Sequence, residues 1–161
     1  MQTQAEEDNL MIAKRSESED FGSQRFLDGL SEDIEWWAAG PPSVLPWAGM
    51  FKGRANVANR VKILRHHLNY QKWEPDWLVK ADTVVEFVRA SGVAKTTGQH
   101  YESDIVRIWT IRDGKVVKVR SFYDTAAYAI AIDALKLAFQ GGHYFKYLEP
   151  GRNLAWRHCR P

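Results

Sequence analysis

A charged pair near the end of a strand-like segment is the strongest candidate for chemistry. Residues 116–124 alternate in character, which predicts a strand with Arg120, Phe122 and Asp124 on one face. If that face points inward, Asp124 is a partly desolvated carboxylate beside Arg120, able to take a proton from a carbon or from water. The structural alternative is that Asp124 caps a helix beginning at the next residue, because Asp is a favoured N-cap.

A second candidate pair lies on the long alternating segment that precedes this strand. Alternation over 101–111 and the residue before it places His100 and Asp104 on one face and Tyr101 and Trp109 on the other. A carboxylate that fixes the tautomer of an imidazole is suited to general acid/base catalysis. Both faces are partly apolar, so either could line a pocket, and a surface or structural His–Asp pair is the alternative.

Composition bounds the classes of protein and site. The 161 residues suit one domain, and a net charge of +2 is far from the basic surface of a nucleic-acid-binding protein. The single cysteine, Cys159, excludes an internal disulfide and a cysteine-rich zinc site. His66 and His67 are adjacent, so their rings diverge and do not form a metal site. Neither a metal nor a cofactor is expected.

The beginning of the chain is polar and acidic. Residues 1–35 carry ten acids against three bases, which leaves +9 on the remainder and predicts a helical lid over a basic body. No run of 18 apolar residues exists, and the first 20 residues lack the pattern of a signal peptide. We expect a cytoplasmic protein that interacts with neither membrane nor nucleic acid.

The elements that position these residues follow from periodicity and turn signals. Helical spacing predicts a helix over 23–30 and a longer one over 55–68, with Arg60 on the solvent-exposed face of the longer helix. Extended pieces are expected at 34–38 and 46–52. A period of two then predicts four strands in a meander, with Asp113-Gly114 as a two-residue hairpin turn. A helix follows over 125–139, ended by Gly141-Gly142.

Four motifs in this order carry a family resemblance. They are D-I-E-W-W at 33–37, P-W-A-G-M-F-K-G-R at 46–54, T-G-Q-H-Y at 97–101, and R-D-G-K-V-V-K-V-R-S-F-Y-D-T-A at 112–126. The chain resembles the nuclear transport factor 2-like superfamily, which includes ketosteroid isomerases and SnoaL-like polyketide cyclases. The resemblance implies an α+β fold in which a cone-shaped, curved antiparallel sheet wraps around N-terminal helices, with a C-terminal helix. The chain is one domain, 1–161, with its core at about 20–135.

The resemblance also implies where a site lies. In this superfamily the sheet and helices enclose a pocket for a small, mostly apolar ligand, and dimers are common. Asp124 matches the position near the end of the last strand where SnoaL-like cyclases hold an acid/base aspartate. Aromatic rings at such a pocket can stack on a cyclic ligand, although core filling is the alternative for each. The expected ligand-binding residues are Trp36, Trp47, Phe51, Tyr101, Trp109 and Phe122.

The function expected from the residues and the resemblance is a cofactor-independent enzyme. It would carry out proton transfer, cyclisation or hydration on an apolar, cyclic substrate, with Asp124 as base, Arg120 as its orienting partner, and Asp104 and His100 as further candidates. The alternative is a non-catalytic ligand-binding or dimeric assembly module of the same fold, because a fold does not fix a function. A homodimer through the sheet is expected in either case.

Overall fold

The computed structural model describes residues 2–17 and 21–135, and these form a six-stranded sheet with four helices. The helices are α1 (Gln4–Glu17), α2 (Gln24–Asp28), α3 (Arg54–His67) and α4 (Thr125–Ala131). The strands are β1 (Leu30–Ala38), β2 (Gly49–Lys52), β3 (Leu68–Lys80), β4 (Thr83–Ala94), β5 (His100–Arg112) and β6 (Lys115–Tyr123). The predicted α+β architecture is confirmed: the sheet is open and curved, with helices before and after it.

The strand order is β2-β1-β6-β5-β4-β3. Strands β3 to β6 form the predicted antiparallel meander, and Asp113 and Gly114 turn the chain between β5 and β6 with positive φ angles of 49° and 70°. Strand β1 pairs with β6 in parallel, although all the other pairs are antiparallel. The first and last strands therefore meet in the middle of the sheet.

A register shift changes the face assignment predicted for β6. Thr110 pairs with Lys118 but Ile111 pairs with Val116, so Val117 has no partner in the ladder. A bulge of this kind places two nearby residues on the same side, and Val116 and Val119 are both buried. Alternation alone puts Val116 on the face of Arg120, which is wrong because it counts no bulge.

The hydrophobic core lies between the concave face of the sheet and the helices. Helix α3 contributes its predicted apolar stripe, Val57, Val61 and Leu64, but Arg60 is buried as well, at 3% exposure. The prediction that Arg60 lies on the solvent-exposed face is thus wrong. Its Nε donates to the Trp47 carbonyl at 3.1 Å, and its guanidinium lies 5.0 Å from the ring of Trp36, so hydrogen bonding and a cation–π contact offset its desolvation.

The first turn of helix α1 is hydrogen-bonded to the turn between β3 and β4. Thr3 and Glu6 form reciprocal bonds, in which Thr3 Oγ1 accepts from the Glu6 amide and Glu6 Oε2 accepts from the Thr3 amide. Glu6 Oε1 accepts from the amide of Ala81 at 3.0 Å, in the turn between β3 and β4. These bonds lower the pKa of Glu6 to about 2. The helix predicted in this acidic segment therefore lies across the sheet and ends at Glu17.

Two sequence predictions extend beyond these bounds. The helix expected over 23–30 is shorter, because strand β1 already begins at Leu30. The helix expected over 125–139 has its described part at Thr125–Ala131, and positions 136–139 and Gly141-Gly142 lie outside the described residues. Within the described ranges, no helix has both the length and the apolar composition needed to cross a bilayer.

Candidate functional site

A cavity of about 840 Å³ opens between helices α1 and α3 and strand β3. This volume falls within the range that proteins use for small organic ligands. Its wall combines aromatic rings with charged groups from four elements, α1, α3, β3 and β5, and from the segments between them. The lining residues are Lys14, Glu17, Phe21, Arg65, Leu68, Asn69, Tyr70, Trp73, Pro75, Trp77, Lys95 and Arg107.

Strand β3 supplies the aromatic floor. Trp73, Pro75 and Trp77 recur at every second position, so a single face of the strand presents all three to the cavity. Tyr70 continues this surface, and its ring meets that of Trp73 edge-on at 5.1 Å. Such a floor favours flat, ring-containing ligands, because aromatic faces stack on one another.

The charged part of the wall is centred on Arg107, which is 6% exposed. Arg107 on β5 and Glu86 on β4 are directly opposite in the antiparallel register, and their Nη1 and Oε2 atoms are 3.5 Å apart. The same Nη1 donates to Oε2 of Glu17, the last residue of α1. The guanidinium also lies 4.7 Å from the ring of Trp73. Two carboxyl groups therefore share one guanidinium at the cavity wall.

The two carboxyl groups occupy different environments. Glu86 is fully buried, and burial raises its pKa to about 8 even though Trp109 Nε1 donates to its Oε2 at 3.2 Å. Its Oε1 has no hydrogen-bond partner among the described atoms. Desolvation lowers the pKa of Arg107 to about 10, which still leaves it a cation at neutral pH. Burial thus favours the protonated form of Glu86 at neutral pH.

Four tyrosines form a polar layer next to this centre. The hydroxyls of Tyr70 and Tyr128 are 3.2 Å apart, and the ring of Tyr101 packs 5.7 Å from Tyr70 and 5.0 Å from Tyr128. Burial raises the pKa of Tyr123 to about 12 and raises the pKa values of the other three as well. All four are neutral at physiological pH and keep a hydroxyl proton to donate.

Gly92 makes space for one of these hydroxyl groups. A Cβ at this position would collide with the carbonyl oxygen of Asn69 and would lie 2.6 Å from Tyr101 Oη. The Tyr101 hydroxyl is buried and has no partner among the described residues.

The structure places Asp124 and Arg120 away from the cavity. Asp124 is exposed and is the N-cap of α4, where its Oδ1 accepts from the amides of Ala126 and Ala127 at 3.0 Å. Arg120 points to the outer, convex face, with its guanidinium 5.1 Å from Trp37 and 5.3 Å from Phe122. No hydrogen bond or ion pair joins Asp124 to Arg120 among the described residues. The bonds of Asp124 are those of the helix cap that the sequence offered as the alternative.

His100 and Asp104 also lie on the outer face. Along β5 the residues from Tyr101 to Trp109 at odd positions are buried, whereas His100, Glu102 and Asp104 are exposed. Asp104 is 3.8 Å from Arg89 in a surface ion pair, not beside His100. The sequence left open which face of β5 lines a pocket. The face with the odd-numbered residues, which carries Arg107, lines the cavity.

The six expected ligand-binding aromatics lie behind or outside the cavity wall. Trp36, Trp47 and Trp109 are at most 1% exposed, and Trp36 Nε1 donates to Ser121 Oγ at 3.2 Å inside the core. Phe51 packs against the same core, Tyr101 belongs to the tyrosine layer, and Phe122 lies on the outer face. None of the six is among the residues that line the described cavity.

Two charged residues outside the expected set carry a signal in the sequence: Arg107, which lines the cavity, and Glu86, which is buried behind it. Val84, Glu86, Val88 and Ala90 form the buried half of β4, so Glu86 is a charge in an otherwise apolar alternation. Arg107 likewise alternates with buried Ile105 and Trp109. A charged residue in the apolar set of a strand indicates a buried ionisable group, which is expensive unless it is paired.

The described residues contain no group of three or more His, Cys, Asp or Glu side chains arranged to hold a metal ion. The cavity wall offers the carboxylate of Glu17, the guanidinium of Arg107 and the phenol hydroxyl of Tyr70. These groups can accept a proton, stabilise an anion and donate hydrogen bonds.

Comparison with known proteins assigns the chain to a family. A model of the SnoaL-like domain matches residues 17–119, which is more than half of the chain. The chain belongs to the SnoaL-like family. The match covers β1 to β5 and most of β6, and it includes Glu17, Glu86 and Arg107. No curated protein sequence matches the chain.

Solved structures share the SnoaL-like fold. A nuclear transport factor 2-like protein from Burkholderia xenovorans LB400 is 27% identical with a TM-score of 0.71, over 81% of this chain and 99% of that one. A protein described as a SnoaL-like polyketide cyclase, from Jannaschia sp. CCS1, is 20% identical with a TM-score of 0.68, over 84% and 99%. One described as an isomerase, from Rhodopseudomonas palustris, is 17% identical with a TM-score of 0.66, over 78% and 94%.

Proposed function

We propose that this SnoaL-like protein is a cofactor-independent acid/base enzyme that acts on a small cyclic molecule by proton transfer, cyclisation or hydration. The observation that carries the proposal is the pair of carboxyl groups on Arg107 at the wall of the aromatic cavity. Their environments differ, so one carboxyl is ionised while the other holds a proton. Proteins of the same fold that are described as a SnoaL-like polyketide cyclase and an isomerase support this class of chemistry.

Glu17 is the proposed catalytic base, because it is the acidic residue among those that line the cavity. Its carboxylate takes a proton from the carbon next to a substrate carbonyl, and the electron pair of the broken C–H bond forms an enolate. Arg107 donates to the enolate oxygen and stabilises the charge that develops there. Return of the proton to another atom completes an isomerisation. In a cyclisation, the enolate carbon attacks a second carbonyl carbon of the same substrate, the π pair of that carbonyl passes to its oxygen, and Glu17 returns its proton to the alkoxide.

Glu86 is a proposed positioning residue, since it is buried behind Arg107 and does not line the cavity. In its protonated form it adds no second negative charge beside Arg107. The guanidinium therefore remains able to stabilise an anionic substrate oxygen. Its bond from Trp109 Nε1 fixes the carboxyl in the sheet.

Deuterium exchange into 2-tetralone tests this function, because the ketone is cyclic and aromatic and has acidic α-hydrogens. We expect the wild-type protein to accelerate exchange in D₂O, followed by proton NMR, and Glu17→Gln to lower the rate by about 100-fold or more. Glu7→Gln, on an exposed part of the same helix, is the control and keeps the wild-type rate. Full activity in Glu17→Gln would contradict the assignment of the base, and no acceleration by the wild type would favour the non-catalytic alternative.

The non-catalytic alternative has one observation in its favour. Asp124, at the family's expected acid/base position, is engaged by the amides of α4. A chain that kept the fold and lost that carboxylate's role could retain the cavity as a binding site alone. Binding of 2-tetralone without exchange is the outcome that distinguishes this alternative.

We also propose a homodimer through the outer face of the sheet. Its centre is an apolar row, in which Phe87 pairs with Val106 and Val106 with Phe122, and Phe87 is 44% exposed. Charged side chains on either side of this row are already paired within the chain, as Arg89 is with Asp104 and Lys52 with Glu35. A two-fold axis would place the apolar row of one copy against that of the other.

A further inference from the structure

The rim of the cavity concentrates positive charge from three separate parts of the chain. Lys14 comes from the last turns of α1, Arg65 from the last turn of α3, and Lys95 from the segment after β4. All three side chains line the same opening as Arg107. Elements distant in sequence thus bring four cations to one cavity.

These rim cations have no carboxylate partner among residues 2–17 and 21–135. The acidic residue in the lining, Glu17, is bound to Arg107. By contrast, Lys52, Lys72 and Lys80 on the sheet each form an ion pair with a glutamate. The cavity rim therefore retains a positive charge that its own lining does not neutralise.

Lys95 is held at the rim by the end of α3. Its amide donates to the His67 carbonyl at 2.7 Å, and its Nζ donates to the Arg65 carbonyl, also at 2.7 Å. An ammonium group has three donors, so two remain for a ligand. These bonds keep Lys95 beside Arg65 despite the repulsion between their like charges.

Below this rim the cavity is apolar and aromatic. Trp73, Trp77 and Phe21 form the greater part of the floor, with Pro75 and Leu68 between them. A ligand that matches both parts has a flat ring body and one anionic group at its edge. The ring removes apolar surface from water, and the anion relieves the repulsion among the rim cations.

We propose that the substrate class of this site is the cyclic or aromatic carboxylic acid, with the carboxylate bound at the rim by Lys14, Arg65 and Lys95. This inference rests on the proposed function only in taking the same cavity as the substrate site. The ring carbonyl would then lie deeper, at Arg107, and the carboxylate would set the orientation of the ring. Attraction by the rim would also accelerate the approach of an acidic ligand.

Comparison of 2-naphthoate with 2-naphthamide tests the proposal, because the two probes share a ring system and differ in charge. Binding is followed by quenching of tryptophan fluorescence, since Trp73 and Trp77 line the cavity. We expect 2-naphthoate to bind about tenfold more tightly at low salt, a difference of about 1.4 kcal/mol. The difference should shrink as NaCl is added, because salt screens exposed charges.

A triple variant removes the rim charges. We expect Lys14→Gln, Arg65→Gln and Lys95→Gln together to reduce 2-naphthoate to the affinity of 2-naphthamide and to leave 2-naphthamide unchanged. The matched control, Lys62→Gln, Lys115→Gln and Lys118→Gln, removes three exposed cations that lie outside the cavity lining and form no ion pair with a carboxylate among the described residues, and it keeps the preference. Equal binding of both probes by the wild type, or equal loss in the control, would overturn the proposal.

The binding assay separates this inference from the proposed catalysis, because it needs no turnover. Exchange of 2-tetralone without a preference for 2-naphthoate would leave the enzyme assignment intact and refute the carboxylate rim. Preference for 2-naphthoate without exchange would refute the enzyme assignment and support an acid-binding cavity.

Discussion

At the scale of single residues, the ionisation of buried Glu86 makes the stability of the fold depend on pH. Its folded-state pKa of about 8 lies above the ordinary value of 4.5, so folding favours its protonated form. The stability gained from this preference is fully present below pH 4.5 and is lost as the pH rises towards 8. Glu6 acts with the opposite sign. The stability from its lowered pKa is fully present above pH 4.5 and is lost as the pH falls towards 2. Between pH 5 and 8, the loss expected from Glu86 is therefore not offset by Glu6.

We predict that Glu86→Gln flattens the pH dependence of stability between pH 5 and 8. The amide keeps an acceptor for Trp109 Nε1 and cannot ionise, so the penalty of burying a charge disappears. Urea unfolding at pH 5 and pH 8 measures the effect, with the variant gaining on the wild type at pH 8. Glu102→Gln, an exposed change on β5, serves as the control and should follow the wild-type profile. A Glu86→Gln protein whose stability falls as steeply as the wild type's would refute the assignment.

The residue scale also shows why the site was harder to predict than the fold. Asp124 and His100 have side chains that often perform acid/base chemistry, but residue type does not reveal which face of a strand is concave. Glu86 and Arg107 do lie on the concave face, and only their register across β4 and β5 shows that they meet. Glu17 comes from a helix 90 positions before Arg107, a contact without a local signal.

At the scale of elements, the cap of α4 assigns a structural role to Asp124. The helix has seven residues, from Thr125 to Ala131, and Asp124 Oδ1 accepts from two of its first amides. A short helix depends strongly on such bonds, because its first amides have no partner within the helix.

We predict that Asp124→Ala lowers the free energy of unfolding by about 1 kcal/mol, whereas Asp124→Asn lowers it by only a few tenths. Both variants should exchange 2-tetralone at the wild-type rate, because neither changes the cavity wall. Urea unfolding and the exchange assay check the two parts, and Asp104→Ala provides a surface aspartate as reference. Loss of exchange in Asp124→Asn with stability retained would restore Asp124 as the catalytic candidate.

Elements with strong periodicity were predictable within a few residues. Helix α3, the Asp113-Gly114 hairpin and strands β4 to β6 follow from alternation and turn chemistry, which are local properties. The bulge at Val117 and the parallel pairing of β1 with β6 depend on partners across the sheet. Sequence patterns within one strand do not specify them.

At the scale of the whole molecule, the outer face of the sheet predicts the oligomeric state. Phe87 and Leu78, at 44% and 62% exposure, are apolar side chains on β4 and β3 without cover among the described residues. A second copy of the chain would bury Phe87 with Val106 and Phe122 in one patch.

We predict that Phe87→Glu converts a dimer into a monomer, because a charge would enter the centre of the apolar row. Sedimentation equilibrium and light scattering measure the mass directly. Met11→Glu is the matched control, since Met11 is 47% exposed on α1, away from the sheet's outer face. A wild-type protein that is monomeric at high concentration, or a Phe87→Glu dimer, would contradict the proposal.

The parallel contact between β1 and β6 also determines when the chain can complete its sheet. Leu30 pairs with Val116 and Ala38 with Ser121, so residues more than eighty positions apart must meet. Closing so large a loop slows folding, because its entropy is lost before the contact forms. During synthesis, the edge of β1 that pairs with β6 would stay unpaired until β6 left the ribosome. Truncation before residue 115 would leave that edge open to other chains, and aggregation would follow.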